Sequence, residues 1–130
     1  MSPNERKLTA PSMNMESEAY WAAANDGKLL MKRCKGCGKT HFYPRAICPH
    51  CQSSDTEWYE ASGKGVIYSY SVMRRSDTPY ALAYITVDEG ITMMSNIVDC
   101  DYDNLAIGQA VEVTFREADG GQSIPVFRPA

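Results

Sequence analysis

The chain has 130 residues, of which 44% are hydrophobic, a formal net charge of −3 and a pI near 5.3. That length allows one modest domain or two small units sharing a surface. The acidic balance argues against a general nucleic-acid binder, which needs a basic face to release counterions, and no segment is apolar enough over sufficient length to span a bilayer.

Residues 1–13 (MSPNERKLTAPSM) mix Pro, Ser, Asn and charge with no apolar period, and read as an arm that is mobile or ordered by a partner. Residues 1–20 hold neither a continuous apolar run nor a cleavage-site pattern, so no signal peptide is expected. A short helix is predicted from Ser17 to Asn25. Ser17 suits the N-cap, Glu18 the first turn, and Gly27 the left-handed position after the end. Tyr20, Trp21 and Ala24 share one face by helical spacing. A helix this short forms only by lying against something. Tyr20 and Trp21 are therefore docking anchors, either to the parent domain or, as candidate partner-docking residues, to another protein.

Strands are predicted from Lys28 to Arg33 and from Thr40 to Tyr43, one on each side of Cys34-x2-Cys37, and from Thr56 to Glu60 after Cys48-x2-Cys51. Two such pairs, ten residues apart, can place four thiolates at the corners of one tetrahedron, which is the geometry of a structural zinc site. Gly36, Gly38 and Pro49 give the turns the required conformations. Cys34, Cys37, Cys48 and Cys51 are the predicted metal ligands. Four thiolates close the shell, so the Zn2+ would hold the fold and perform no chemistry. His41 and His50 are not needed as ligands. A thioredoxin-like redox site would need a βαβ pattern that flanks neither pair. Disulfides would need a secreted chain. Iron in the same four sulfurs, as in rubredoxin, stays open. Four thiols kept reduced point to the cytoplasm. Cys100 is read as a strand-end thiol with no chemical role.

From Ser62 the character changes. Ser62-Gly63-Lys64-Gly65 is a turn. Strands follow from Val66 to Arg74, Pro79 to Val87, Ile91 to Val98, Ala110 to Arg116 and Ile124 to Phe127, the second and third joined as a hairpin by Asp88-Glu89-Gly90. Five strands in about 65 residues with no helical pattern predict a small closed barrel of the five-stranded OB-fold kind. The expected class is mainly β: a short helix, a four-cysteine ribbon and the barrel.

These features together resemble the DUF35 family, zinc-ribbon-plus-OB-fold proteins found beside thiolase-like enzymes. The marks run from residue 17 to 130: Tyr20-Trp21, then Gly27-Lys28-Leu29-Leu30 before Cys34-x2-Cys37-Gly38, then Tyr43-Pro44-Arg45, Cys48-Pro49-x-Cys51 and Ser62-Gly63-Lys64-Gly65-Val66. Asp88-Glu89-Gly90, Ile107-Gly108-x-x-Val111 and Pro125-Val126-Phe127-Arg128-Pro129 complete the series. The expected division is an arm and short helix over residues 1–27, a rubredoxin-like zinc ribbon over 28–61 and an OB-fold over 62–130, the resemblance covering all but the arm. The resemblance implies a non-catalytic small subunit of a thiolase, aldolase or acyltransferase assembly, with helix and ribbon on the large subunit and the OB-fold near the coenzyme A path.

The residues agree that the chemistry belongs to another chain. No Ser-His-Asp or Cys-His pair is evident, and no phosphate-cradling G-x-G-x-x-G occurs. If the chain helps to hold an acyl-CoA, Lys64, Arg74 and Arg75 with Tyr68 are the candidate ligand-binding residues, Tyr70 and Tyr80 lying nearby in sequence. The alternative function is a single-stranded nucleic-acid-binding OB-fold, with aromatic side chains stacking on bases. An iron-holding electron carrier is the third reading.

Overall fold

The computed structural model describes residues 8–130. It contains one α-helix, α1 (Glu18–Asn25), followed by β1 (Leu30–Cys34), β2 (Thr40–His41), β3 (Thr56–Glu60), β4 (Lys64–Met73), β5 (Tyr80–Val87), β6 (Thr92–Ile97), β7 (Ala110–Glu117) and β8 (Ser123–Pro129). Strands β1–β3 form a three-stranded antiparallel sheet in the order β2-β1-β3, and the last five close into a barrel in the order β4-β5-β6-β8-β7. The predicted class therefore holds: a short helix, a four-cysteine cluster on a small sheet, and an OB-fold-like barrel.

Ser17 precedes α1 as expected, but its hydroxyl does not cap the helix. It donates to the Asn14 carbonyl and accepts from the Asn14 N–H instead, closing a turn ahead of the helix. At the other end Gly27 takes φ +77°, and the N–H groups of Gly27 and Lys28 bond the carbonyls of Ala24 and Ala23. This left-handed stop satisfies carbonyls that the helix itself leaves open.

Barrel closure depends on alternation. In β5, Ala81, Ala83, Ile85 and Val87 point inward and are buried, and β6 sends in Met93 and Ile97. The small residues Ala81 and Ala83 leave room for Phe127 of β8, which is fully buried. Phe127 pairs with Val113 of β7 on one side and, in parallel, with Ile97 of β6 on the other, so this strand joins the last pair to the hairpin. Gly65 sits where β4 pairs with both Val87 of β5 and Val111 of β7. A Cβ there would lie 2.6 Å from the Thr86 carbonyl oxygen, so only glycine permits so close a backbone approach.

Helix and ribbon share the barrel's core. Tyr20, Trp21, Ala24, Leu29 and Met31 belong to the same buried cluster as Ile67, Ile85, Val111 and Phe127. The N-terminal arm was expected over residues 1–13; residues 1–7 lie outside the described part. Leu8 is buried, bridges to Ala118 and packs on Val126. No described helix is long and apolar enough to cross a membrane.

Candidate functional site: metal centre and outer barrel face

Cys34 ends β1, and its partner Cys37 follows after a turn closed by the Gly38 N–H bonding the Cys34 carbonyl. The second knuckle is closed the same way, the Gln52 N–H bonding the Cys48 carbonyl. These two turns bring the ligand atoms of Cys34, Cys37, Cys48 and Cys51 within 4.8 Å of one another. Cys34 Sγ lies 3.5 Å from Cys51 Sγ, and Cys37 Sγ lies 3.7 Å from Cys48 Sγ. A tetrahedral zinc with Zn–S bonds of about 2.3 Å needs sulfurs about 3.8 Å apart, close to both of these distances. Backbone N–H groups of Cys37 and His50 point at the sulfurs of Cys34 and Cys48.

Thiols packed this closely do not ionise together on their own. The Cys37 N–H leads the bonds that hold Cys34 down to about 7. Cys51, although it receives the Ser53 N–H, is pushed up to about 12 by the thiols of Cys34, Cys37 and Cys48. A dication at the centre offsets this repulsion and deprotonates all four. Cys34 and Cys48 are fully buried and Cys37 and Cys51 exposed, so the site is seated in the ribbon with one side toward solvent. The donor set is that of a structural zinc; bound there, the ion supplies folding energy to a ribbon with few buried side chains of its own.

His41 is not among the ligands. It is buried on β2, where its Nε2 accepts the Arg45 N–H at 3.3 Å, and its Nδ1 has no partner. Burial, ahead of the nearby cations Lys32 and Arg45, lowers its pKa. Cys100 lies apart from the cluster, its thiol 4.0 Å from the Ile97 carbonyl.

The structure separates the other sequence-predicted residues. Tyr20 and Trp21 are only 3% and 8% exposed. Their rings meet Phe42 and Tyr43, and Trp21 Nε1 donates to the Tyr43 hydroxyl at 2.8 Å. The helix is further tied to the barrel through Asn25–Gln122 and Asn25–Ser123 hydrogen bonds. The candidate partner-docking pair thus anchors α1 within its own chain, with little of either ring exposed. Lys64 and Arg74 mark opposite ends of β4, roughly 30 Å apart along an extended strand. They cannot serve one phosphate group. Arg74 is also held by Asp103, Nη2 to Oδ1 at 2.7 Å, while Arg75 is exposed in the loop beyond.

Tyr68 stands on the outer face of the barrel, where sequence reasoning missed its neighbours. Ile67 pairs with Ile85 but Ser69 pairs with Tyr84, so Tyr68 is the extra residue of a bulge. Tyr84 in turn pairs with Met94 of β6. Tyr68, Tyr84 and Met94 are 65%, 50% and 59% exposed. Beside them Ser69, Tyr70, Ser71, Leu82, Ala83, Tyr84 and Met94 line a groove of about 340 Å³. The available signal was charge: Gly65–Met73, Tyr80–Val87 and Thr92–Ile97 contain no charged residue.

Comparison with known proteins places this architecture. The family model described as "ChsH2, rubredoxin-like zinc ribbon domain" matches residues 21–57, and "ChsH2, C-terminal OB-fold domain" matches residues 58–116. A DUF35 domain-containing scaffold protein of Methanocaldococcus jannaschii is 37% identical, over 76% of this chain and 77% of its own length. A probable enoyl-CoA hydratase alpha subunit of Thermomonospora curvata is 34% identical over 92% of this chain, which spans only 39% of that relative's length. The benzoylsuccinyl-CoA thiolase subunit BbsA of Geobacter metallireducens is 29% identical over 63% of this chain and 58% of its own. Among solved structures, a chain of the Ltp2–ChsH2(DUF35) aldolase superposes with a TM-score of 0.81 at 34% identity, covering 92% of this chain and 98% of that one. With the four-cysteine ribbon, the closed five-stranded barrel and these relatives in agreement, the chain belongs to the DUF35/ChsH2 family of zinc-ribbon–OB-fold proteins.

Proposed function

We propose that the chain is a non-catalytic accessory subunit of a thiolase-type acyl-CoA enzyme, docking on a large subunit that carries the chemistry and helping to hold the acyl-CoA. The observation that carries this reading is the match, along nearly the whole chain, to a chain of an aldolase structure. The scaffold, hydratase-subunit and thiolase-subunit relatives point the same way. Four of the five cysteines belong to the metal cluster, so the activated cysteines of thiolase chemistry come from the other chain. In this reading residues 28–61 with the helix form the docking part and residues 62–130 the acyl-CoA part. Since α1 spends its aromatic face internally, docking falls to the adjoining surface, where Met15, Ile47 and Trp58 line a groove of about 770 Å³. Four reduced thiols fit a reducing compartment, and the cytoplasm is the proposed location.

The test is a pull-down from the native host at moderate salt with zinc retained. Near-stoichiometric recovery of a thiolase-like protein supports the reading; recovery of nucleic acid without such an enzyme overturns it. One observation favours that second reading: Lys28, Lys32, Arg33, Lys35, Lys39 and Arg45 lie in a stretch, Gly27 to Ser54, without a single Asp or Glu. Retention on immobilised single-stranded DNA that falls steeply with salt, set against retention on a coenzyme A resin, separates the two.

A further inference from the structure

The outer face of β4–β6 serves neither the metal centre nor the core. Tyr84 of β5 lies at its centre, with Ser69 of β4 and Met94 of β6 on either side, and the bulge sets Tyr68 beside Ser69. A solvated face normally carries charge, and this one carries none from Gly65 to Met73, Tyr80 to Val87 or Thr92 to Ile97. Its size bears on what covers it. Val66 and Met73 are exposed beside Tyr68, Tyr84 and Met94, and with the serines and threonines between them the face leaves on the order of 700 Å² in water. A standard protein interface takes roughly 800 Å² from each partner. Nucleic acid would need cations beside the tyrosines, and the face has none.

A partner for this face must itself be uncharged over a similar area. A second copy of the chain meets that condition, since an isologous contact sets one patch against itself. We propose that the outer face of β4–β6 is a homodimer interface, two barrels packed sheet to sheet. Barrel closure leaves these strands no free edge to share, so the copies stack face to face, about 10 Å apart. A two-fold axis running along β5 fixes the contacts. Tyr84 meets its own counterpart on the axis. β4 of each copy lies over β6 of the other, which sets Tyr68 against Met94 twice, an aromatic–thioether contact. At the rim the same rotation brings Lys64, where β4 begins, over the Asp88-Glu89 turn that joins β5 to β6 in the other copy. Opposite charges then border an uncharged centre, as core and rim of an interface do. An axis across the strands would instead lay β4 on β4 and bring Lys64 toward exposed Arg75, like charge on like. The proposal goes beyond the accessory-subunit reading and stands without it.

The test is sedimentation equilibrium of the zinc-loaded full chain over a concentration series. A dimer with a dissociation constant on the order of 10 µM is expected, a modest affinity for a face at the lower end of standard size. Tyr84→Lys sets two lysines against each other on the axis and raises that constant by at least about tenfold, with zinc content and circular dichroism unchanged. Tyr68→Lys and Met94→Glu each weaken the dimer by roughly tenfold alone. Mixed in equal amounts, these two variants associate again to within about threefold of the parent, because each mixed pair holds lysine against glutamate at one contact and the native residues at the other. A parent chain that stays monomeric throughout, a dimer that survives Tyr84→Lys, or mixed variants that remain monomeric overturns the proposal. So does a monomeric parent that co-purifies with a thiolase-like enzyme which Tyr84→Lys loses, since the face then belongs to that enzyme. A dimer that recovers no such enzyme supports the interface and counts against the accessory-subunit reading alone.

Discussion

Replacing Cys48 with serine tests the metal centre most directly. Cys48 is fully buried, its sulfur 3.7 Å from Cys37 Sγ and receiving the His50 N–H at 3.4 Å. Serine offers a shorter, harder and poorly ionised ligand, so the ion loses one of four bonds and the site loses its closure. Structural zinc in small modules is worth about 10–16 kcal/mol; a quarter of that is about 2.5–4 kcal/mol, a drop in zinc affinity of roughly a hundredfold or more. Cys100→Ser is the control: its thiol lies outside the cluster, 4.0 Å from the Ile97 carbonyl, so zinc affinity should change less than threefold. The assay is competition against a chromophoric chelator, with amide exchange on the same samples. Loss of zinc should release the amides of β1 and β3, while Ile67, Ile85 and Phe127, deep in the barrel, keep most of their protection. A Cys48→Ser protein holding zinc within tenfold of the parent would refute the ligand assignment. A Cys100→Ser protein as impaired as Cys48→Ser would do the same.

Three further outcomes follow from the packing. Gly65→Ala places a methyl group 2.6 Å from the Thr86 carbonyl oxygen and 3.0 Å from Val87 Cα; urea denaturation should show a loss of about 1–3 kcal/mol, and a neutral result would mean that β4 and β5 separate freely. Trp21→Phe removes the bond to the Tyr43 hydroxyl and should cost about 1–2 kcal/mol; in a double-mutant cycle with Tyr43→Phe the two losses should fall short of additivity by about 1 kcal/mol, whereas strict additivity would show the bond to be inert. His41 has a lowered pKa in the folded chain, so the unfolded state takes up its proton first as pH falls. Its contribution is complete above about 6.5 and is lost as pH drops from there toward the folded value. Thermal melts of the parent from pH 7.5 to 5 should therefore fall more steeply than those of His41→Gln, and identical slopes would remove His41 as the cause.

What the sequence determined by itself was local. Each C-x2-C knuckle needs only a short turn with suitable backbone freedom, and two of them at this spacing converge because β1 and β3 pair across them, Cys34 opposite Thr56. The barrel strands were legible because inward and outward residues alternate and turn residues separate the runs, as in Ala81 to Val87. Boundaries moved by a few residues where pairing rather than composition sets them: β2 shortens to Thr40–His41, and β8 lengthens to Ser123–Pro129 along β7.

What only the tertiary structure decided depends on partners distant in sequence. Tyr20 and Trp21 have the composition of a docking face, but Phe42, Tyr43 and Gln122 come from elsewhere in the chain to cover or bond them. Lys64 and Arg74 look like one basic cluster until β4, ten residues from Lys64 to Met73, sets them at its opposite ends. The row from Tyr68 through Tyr84 to Met94 exists only because a bulge adds Tyr68 to the outer face and strand register sets Tyr84 beside Met94. Periodicity specifies which side of a strand a residue takes, but register and closure, which arise from contacts between strands, decide what lies next to it.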